Sequence, residues 1–267
     1  MRNRSSDPVS VAREFGKCEP TAAGLRRTYF KVSRPQSRLR GLWLSRWGRQ
    51  GIVASDSGGV MYEFVEMIAV ISGAIYGVLL ARRHHMDFVG VFSVAFICAF
   101  GGGTLRDLFL DRHPLFWIQE EHYPIIVFGI ALAASIPTSL PTWAEKVLYV
   151  PDAVGLGLFS VVGATAALQS GTSYFIASLL GVVTGTFGGV MGDIVCNKVP
   201  SLFRHAPMYA TCSFVGCWWM FSLSWLGFPS QFCFLSAIVV IVSHRLLALR
   251  FNWRLPQRDV ADEANVG

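Results

Sequence analysis

Gly101-Gly102-Gly103-Thr104-Leu105-Arg106-Asp107 follows directly on an apolar run that ends at Phe100, and a second apolar run begins shortly after Trp117. Three glycines beside a base and an acid at that depth are costly in a membrane and usually mark function. The surrounding sequence fixes the class. The chain is 52% hydrophobic and only 15% charged, against roughly 25% charged in an ordinary soluble domain. Its apolar residues come in continuous blocks of membrane-spanning length. An outer-membrane barrel would instead show alternating segments of about ten residues. Backbone groups inside lipid must be satisfied within their own segment, so each block is read as a helix. The fold class is therefore an all-α polytopic membrane protein.

Working outward from the glycines, seven spans are predicted, at about residues 64–81, 88–100, 123–136, 152–168, 174–190, 208–226 and 232–249. Spans two and three are shorter than the roughly 20 residues a straight crossing needs. The sequence therefore predicts that the glycine stretch interrupts its helix and that the segment between spans two and three lies at membrane depth.

Charge divides the chain in two. Residues 1–60 hold ten Arg and two Lys against Asp7, Glu14, Glu19 and Asp56, a balance of +8. The whole chain carries +6, so the remainder carries −2. The basic part has no aromatic interleaving or helical pattern of a nucleic-acid module, and no secretory signal. It is read as a basic, disordered extension, or as upstream sequence ahead of a start at Met61. Met61 to residue 250 forms the core, and residues 251–267 are read as a polar tail. Arg82, Arg83, Lys146, Lys198, Arg204, Arg245, Arg250, Arg254 and Arg258 fall on one face, and only Arg106 and Arg112 on the other. The first face is then cytoplasmic, which places the start of the core outside and the C-terminus inside.

The core repeats. Shifted by 86 residues, Gly77 meets Gly163, Gly102-Gly103 meet Gly188-Gly189, Asp107 meets Asp193, Pro114 meets Pro200, Tyr123 meets Tyr209 and Phe128 meets Phe214. Glu66 meets Asp152 as a conservative pair. The pattern GG-x3-D-x6-P recurs within matching hydropathy. Residues 61–146 and 147–228 are thus read as two three-span repeats, with 229–250 an unpaired seventh span. Three spans per unit invert the second unit relative to the first, an arrangement that places a pore or binding site between the halves.

The candidate site follows from the repeat. Gly101, Gly102, Gly103, Gly188 and Gly189 could expose backbone carbonyls or amides to a solute, or could simply let helices pack closely. Asp107 and Asp193 offer recurring carboxylates, and Arg106 a fixed positive charge with Asp193 or Glu66 as its prospective partners. Neighbours on a helix point about 100° apart, so Arg106 need not pair with Asp107. Glu66 and Asp152 are secondary candidates at helix starts, where acids are favoured anyway. Gly192 stands where Arg106 stands in the first unit, so the second half lacks a matching base. GxxxG spacing at Gly73/Gly77 and Gly181/Gly185 is read as packing. The six cysteines form no CxxC pair, and neither a metal site nor a cofactor is expected. The glycine run lacks the ending of a phosphate loop, and no catalytic motif stands out.

The first motif, followed by Pro114-Leu115-Phe116-Trp117-Ile118, closely resembles the signature of the bacterial glycine-transporter-domain membrane protein family, itself similar to the trimeric intracellular cation channels. The resemblance spans about 62–249. It implies seven helices as 3+3+1, a homotrimer in the bacterial inner membrane, and a pore through kinked helices two and five with the glycines at its constriction. The family usually has Arg in the place of Gly192. Two transport readings stay open, a potassium or other monovalent-cation channel and a carrier of glycine or a similar small zwitterion. A non-transporting scaffold or sensor is the reading from another class. A single base at depth favours cation permeation over a symmetric zwitterion site. Beyond its solute, lipid and a second and third copy are the expected partners.

Overall fold

The computed structural model describes residues 56–136, 148–203 and 208–253, all within the unit Gln50–Gly267. Eight α-helices account for most of them: α1 (Asp56–Arg82), α2 (Phe88–Phe109), the single turn α3 (Phe116–Gln119), α4 (His122–Ser135), α5 (Tyr149–Gln169), α6 (Tyr174–Val195), α7 (Ala210–Trp225) and α8 (Ser230–Arg250). A 3₁₀ turn, Ser201–Phe203, lies between α6 and α7. Five of these are long and apolar enough to cross a bilayer: α1 from Met61, α2, α5, α6 and α8. In its described part α4 is apolar but 14 residues long, and α7 has 16. The expectations for 1–60, 137–147 and 254–267 fall outside the described residues, except that α1 begins at Asp56, ahead of Met61.

The predicted interruption at the glycines is corrected. Helix α2 runs unbroken through Gly101, Gly102 and Gly103 to Phe109, and its 22 residues rise about 33 Å at 1.5 Å each. The second span is not short, because the glycine motif is its last third. Helix α6 likewise passes unbroken through Gly188 and Gly189. Glycine weakens an isolated helix by roughly 0.5–1 kcal/mol against alanine, yet here each close contact needs it. In lipid there is little hydrophobic drive between helices, so association rests on close packing.

That packing is tightest where α2 crosses α6. A Cβ on Gly102 would overlap the carbonyl oxygen of Thr184 and come within 3.0 Å of its carbon. A Cβ on Gly188 would overlap the carbonyl oxygen of Cys98. Position 188 corresponds to 102, and 184 to 98, at the same 86-residue shift. The contact is therefore made twice, reciprocally. The GxxxG positions pack in the same manner. A Cβ on Gly77 would meet Ala95 Cα at 2.6 Å, and one on Gly181 would meet the Ser160 carbonyl at 2.7 Å.

Helix α5 is the hub, buried almost continuously from Ala153 to Ala167. Its small residues let α1, α6, α7 and α8 approach. On α2, Phe88, Phe92, Phe96 and Phe100 recur every fourth residue and make a ladder against α4 and α3. Phe92 meets Phe128 at 5.5 Å and Phe96 meets Trp117 at 5.3 Å between ring centres, edge-on geometries that aromatic rings favour.

Candidate functional site

The motif at the end of α2 is a self-contained clasp. Phe116 sits over Gly103, whose missing side chain leaves room for the ring. The Phe116 amide donates to Asp107 Oδ2 at 3.0 Å, and the Trp117 indole donates to Thr104 Oγ1 at 3.0 Å. The chain thus turns after Phe109 and α3 folds back onto the end of α2. Asp107 serves as a cap for the amides that a helix start leaves unpaired. The second half repeats this use of its acid, since the Ser201 amide donates to Asp193 Oδ2 at 2.9 Å. This gives the recurring D-x6-P a local reason: the acid holds the segment that follows the proline. Asp193→Ala is expected to cost about 1–2 kcal/mol and to speed hydrogen exchange at Ser201, while Asp193→Asn keeps an acceptor and most of the protection. Unchanged exchange in the alanine variant would show that the bond does not hold this turn.

Arg106 is 1% exposed and is the largest fully buried side chain described. Its Nη1 meets Glu66 Oε1 at 3.0 Å and its Nε meets Asp107 Oδ1 at 2.8 Å. Of its two prospective partners it takes Glu66. It also takes Asp107, a pairing the sequence left open, because a long arginine side chain can lie back across its neighbour. The guanidinium lies 5.1 Å from the Phe116 ring centre, a cation–π distance. Both oxygens of Asp107 are therefore occupied. The first-half cluster of Glu66, Arg106 and Asp107 lies at the end of α2 that carries the motif.

A second cluster surrounds Asp152, the counterpart of Glu66. Tyr209 donates its hydroxyl to Asp152 Oδ1 at 2.6 Å, and Arg245 Nη2 meets Asp152 Oδ2 at 3.3 Å. Arg245 also donates from Nη1 to the Met208 carbonyl at 2.9 Å and sits 4.3 Å from the Tyr209 ring centre. The second half itself carries no base in the place of Arg106; Arg245 of α8, outside both repeats, pairs with Asp152 instead. Gly192 is likewise explained. A Cβ there would overlap Cys98 Sγ and lie 3.2 Å from Leu80, so the spot corresponding to Arg106 is already filled. The base of this cluster comes from another helix.

Beside the α2–α6 crossing lies a cavity of about 20 Å³, enough for about one water molecule. Asp152, Gly188 and Gly189 line it, with Tyr76, Thr184 and Tyr209 adding polar groups. Asp152 is the one carboxylate among its lining residues. Gly101 packs at the crossing, where a Cβ would lie 3.7 Å from Gly188 Cα and 2.8 Å from Met191 Sδ. The structure therefore separates the sequence candidates into four places. Gly101, Gly102 and Gly188 form the crossing. Gly103, Glu66, Arg106 and Asp107 form the clasp. Asp152, Gly188 and Gly189 line the cavity, while Asp193 holds the turn at Ser201. Arg245 and Tyr76 were not among the sequence candidates. An ionisable residue within the apolar run of α8 was the available signal for Arg245, but charge counting assigned it only to the cytoplasmic face.

Comparison with known proteins follows the same division. The profile of the glycine transporter family matches residues 63–137 and again 149–225. The two matches begin 86 residues apart, at the shift read from the sequence. A UPF0126 membrane protein of Vibrio cholerae is 35% identical over 196 residues, covering 72% of this chain and 80% of that protein. The UPF0126 inner membrane protein YadS of Escherichia coli K12 is 31% identical over 207 residues, covering 74% and 96%. Among solved structures, the TRIC trimeric intracellular cation channel orthologue of Rhodobacter sphaeroides is similar with a TM-score of 0.66 at 32% identity, covering 72% of this chain and 98% of that one.

Proposed function

The chain belongs to the glycine transporter family of multi-pass membrane proteins, and we propose from that premise that it is a monovalent-cation channel, with potassium as the ion. The observation that carries this reading is the polar cavity beside the crossing of α2 and α6, with Asp152 as its carboxylate. The likeness to TRIC cation channels over nearly the whole of a solved chain supports it. In this reading the path follows α2 and α6, the second and fifth of seven spans. The two halves form an inverted 3+3 repeat, and α8 is the added seventh. The reciprocal contacts of Gly102 with Thr184 and Gly188 with Cys98 support a two-fold relation between the halves. Basic residues on one face put the C-terminus inside and the start of α1 outside. The trimeric likeness supports a homotrimer in the inner membrane.

A cation at this point would meet Asp152 Oδ1, the hydroxyls of Tyr76 and Tyr209, and backbone oxygens near the crossing. Such a set is weak and mixed, as conduction requires. The second reading, a glycine carrier, is favoured by the family description and by the Asp152–Arg245 ion pair, whose acid lines the cavity. Room for about one water is less than an amino acid needs. Purified protein in liposomes should therefore pass potassium under a membrane potential and should not accumulate labelled glycine. Glycine uptake without potassium flux would reverse the choice, and neither would favour a non-transporting scaffold.

Gly189 tests the path itself. A Cβ there would press on the Tyr209 hydroxyl at 3.3 Å and lie 3.9 Å from Asp152 Oδ1, and a longer side chain would enter the cavity. Gly189→Leu is expected to cut potassium flux at least about tenfold, which needs only about 1.4 kcal/mol of added barrier. Gly129→Leu, at a position with nothing within 4 Å, should leave it unchanged. Equal flux in both variants would remove the cavity from the path.

A further inference from the structure

We infer that Arg245 on α8 sets the strength of cation binding in the cavity, by neutralising Asp152 from the side away from it. This deepens the channel reading above and rests on it.

The two oxygens of Asp152 have different surroundings. Oδ1 accepts the Tyr209 hydroxyl and lies 3.9 Å from the place of a Gly189 Cβ, at the cavity wall. Oδ2 meets Arg245, which is not among the lining residues. The guanidinium is held by the Met208 carbonyl and the Tyr209 ring as well as by the carboxylate. It is therefore fixed in place behind the acid. A guanidinium does not lose its proton in proteins, so this neutralisation does not vary with physiological pH.

A lone buried carboxylate must be paired. Without Arg245, the open side of Asp152 is the cavity, and a small monovalent cation fits both its size and its single charge. That cation would bind tightly and leave slowly, whereas permeation needs a site that is weak as well as attractive. With Arg245 in place, the cavity offers partial charges from hydroxyls and carbonyls beside a paired acid. The seventh span then has a task beyond packing. It brings the charge that Gly192 cannot carry, from outside both repeats.

The test is thermal unfolding of purified protein in detergent, in potassium chloride or in choline chloride at the same ionic strength. Choline is too large for the cavity. Wild type should unfold at the same temperature in both salts. Arg245→Gln should unfold about 2–4 °C higher in potassium. Arg245→Lys keeps a point charge without the planar fork, and should show a smaller shift in the same direction. Arg245→Gln combined with Asp152→Asn should show none. Arg106→Gln should show none either, since neither Glu66 nor Asp107 lines the cavity.

Equal unfolding temperatures for Arg245→Gln in the two salts would overturn the inference. So would an equal potassium shift in Arg106→Gln, which would mean that any unpaired buried acid gives the effect. If Arg245→Gln yields no folded protein, Arg245→Lys decides by the same criterion. Wild-type flux in liposomes is a separate reading. Absent flux with a potassium shift sinks the channel and keeps the cation site. Intact flux without a shift sinks the role of Arg245 and keeps the channel.

Discussion

Gly102→Ala is expected to destabilise the fold by about 2–4 kcal/mol, at the upper end of overpacking costs. The added methyl would overlap the carbonyl oxygen of Thr184 and sit 3.0 Å from its carbon. These are main-chain atoms in the middle of α6, which cannot swing aside as a side chain would. The helices must separate, and every close contact along the crossing weakens with distance. Gly188→Ala presses on the Cys98 carbonyl in the same way and should cost a similar amount. Once α2 and α6 have been forced apart, the second methyl finds part of its room already made. The double variant should therefore cost clearly less than the sum of the singles, a coupling expected for residues in one contact. Gly129→Ala, with open space around it, should be neutral or slightly stabilising through helix propensity. Thermal unfolding of the four proteins decides the matter. Additive costs would mean that the two glycines do not share one crossing.

Arg106→Met should be comparably damaging for a different reason. It leaves Glu66 and Asp107 buried with no cation, and breaking a buried pair by removing one partner typically costs about 3–5 kcal/mol. Arg106→Lys should fall between, since it keeps the charge but cannot meet both acids in one plane. Replacing all three as Arg106→Met, Glu66→Gln and Asp107→Asn removes the uncompensated charge and should recover much of the loss. Denaturation in detergent measures each step. A triple variant no more stable than Arg106→Met would show that the cost lies in lost packing against Phe116, not in charge.

The membrane class, the helix positions and the 86-residue register were legible because each rests on periodicity or composition, which local sequence carries. The family profile matches twice at that register. The continuity of α2 was not legible. Glycine lowers helix propensity wherever it stands, and nothing in Gly101-Gly102-Gly103 tells that α6 will lie against it. The choice of Arg106 between Glu66 and Asp193 was open for the same reason, since it depends on which helix ends meet. The role of Asp107 and Asp193 as caps could have been read from their spacing to Pro114 and Pro200. Arg245 was visible as a base in an apolar helix, but its partner is 93 residues away. No repeat pattern points there, because α8 has no counterpart in the first half.

The reciprocal crossing also bears on which positions can change together. Gly216 is short because of a side chain: a Cβ there would overlap Ile241 Cγ1 and lie 2.6 Å from Cδ1. Shortening residue 241 would relieve it, so 216 and 241 form a pair open to mutual compensation. Position 102 faces a carbonyl oxygen, and every amino acid at 184 has one. No substitution at 184 can make room for a side chain at 102, and none at 98 can do so for 188. In a set of diverging sequences, 216 and 241 are free to covary, whereas 102 and 188 stay glycine with no covarying partner.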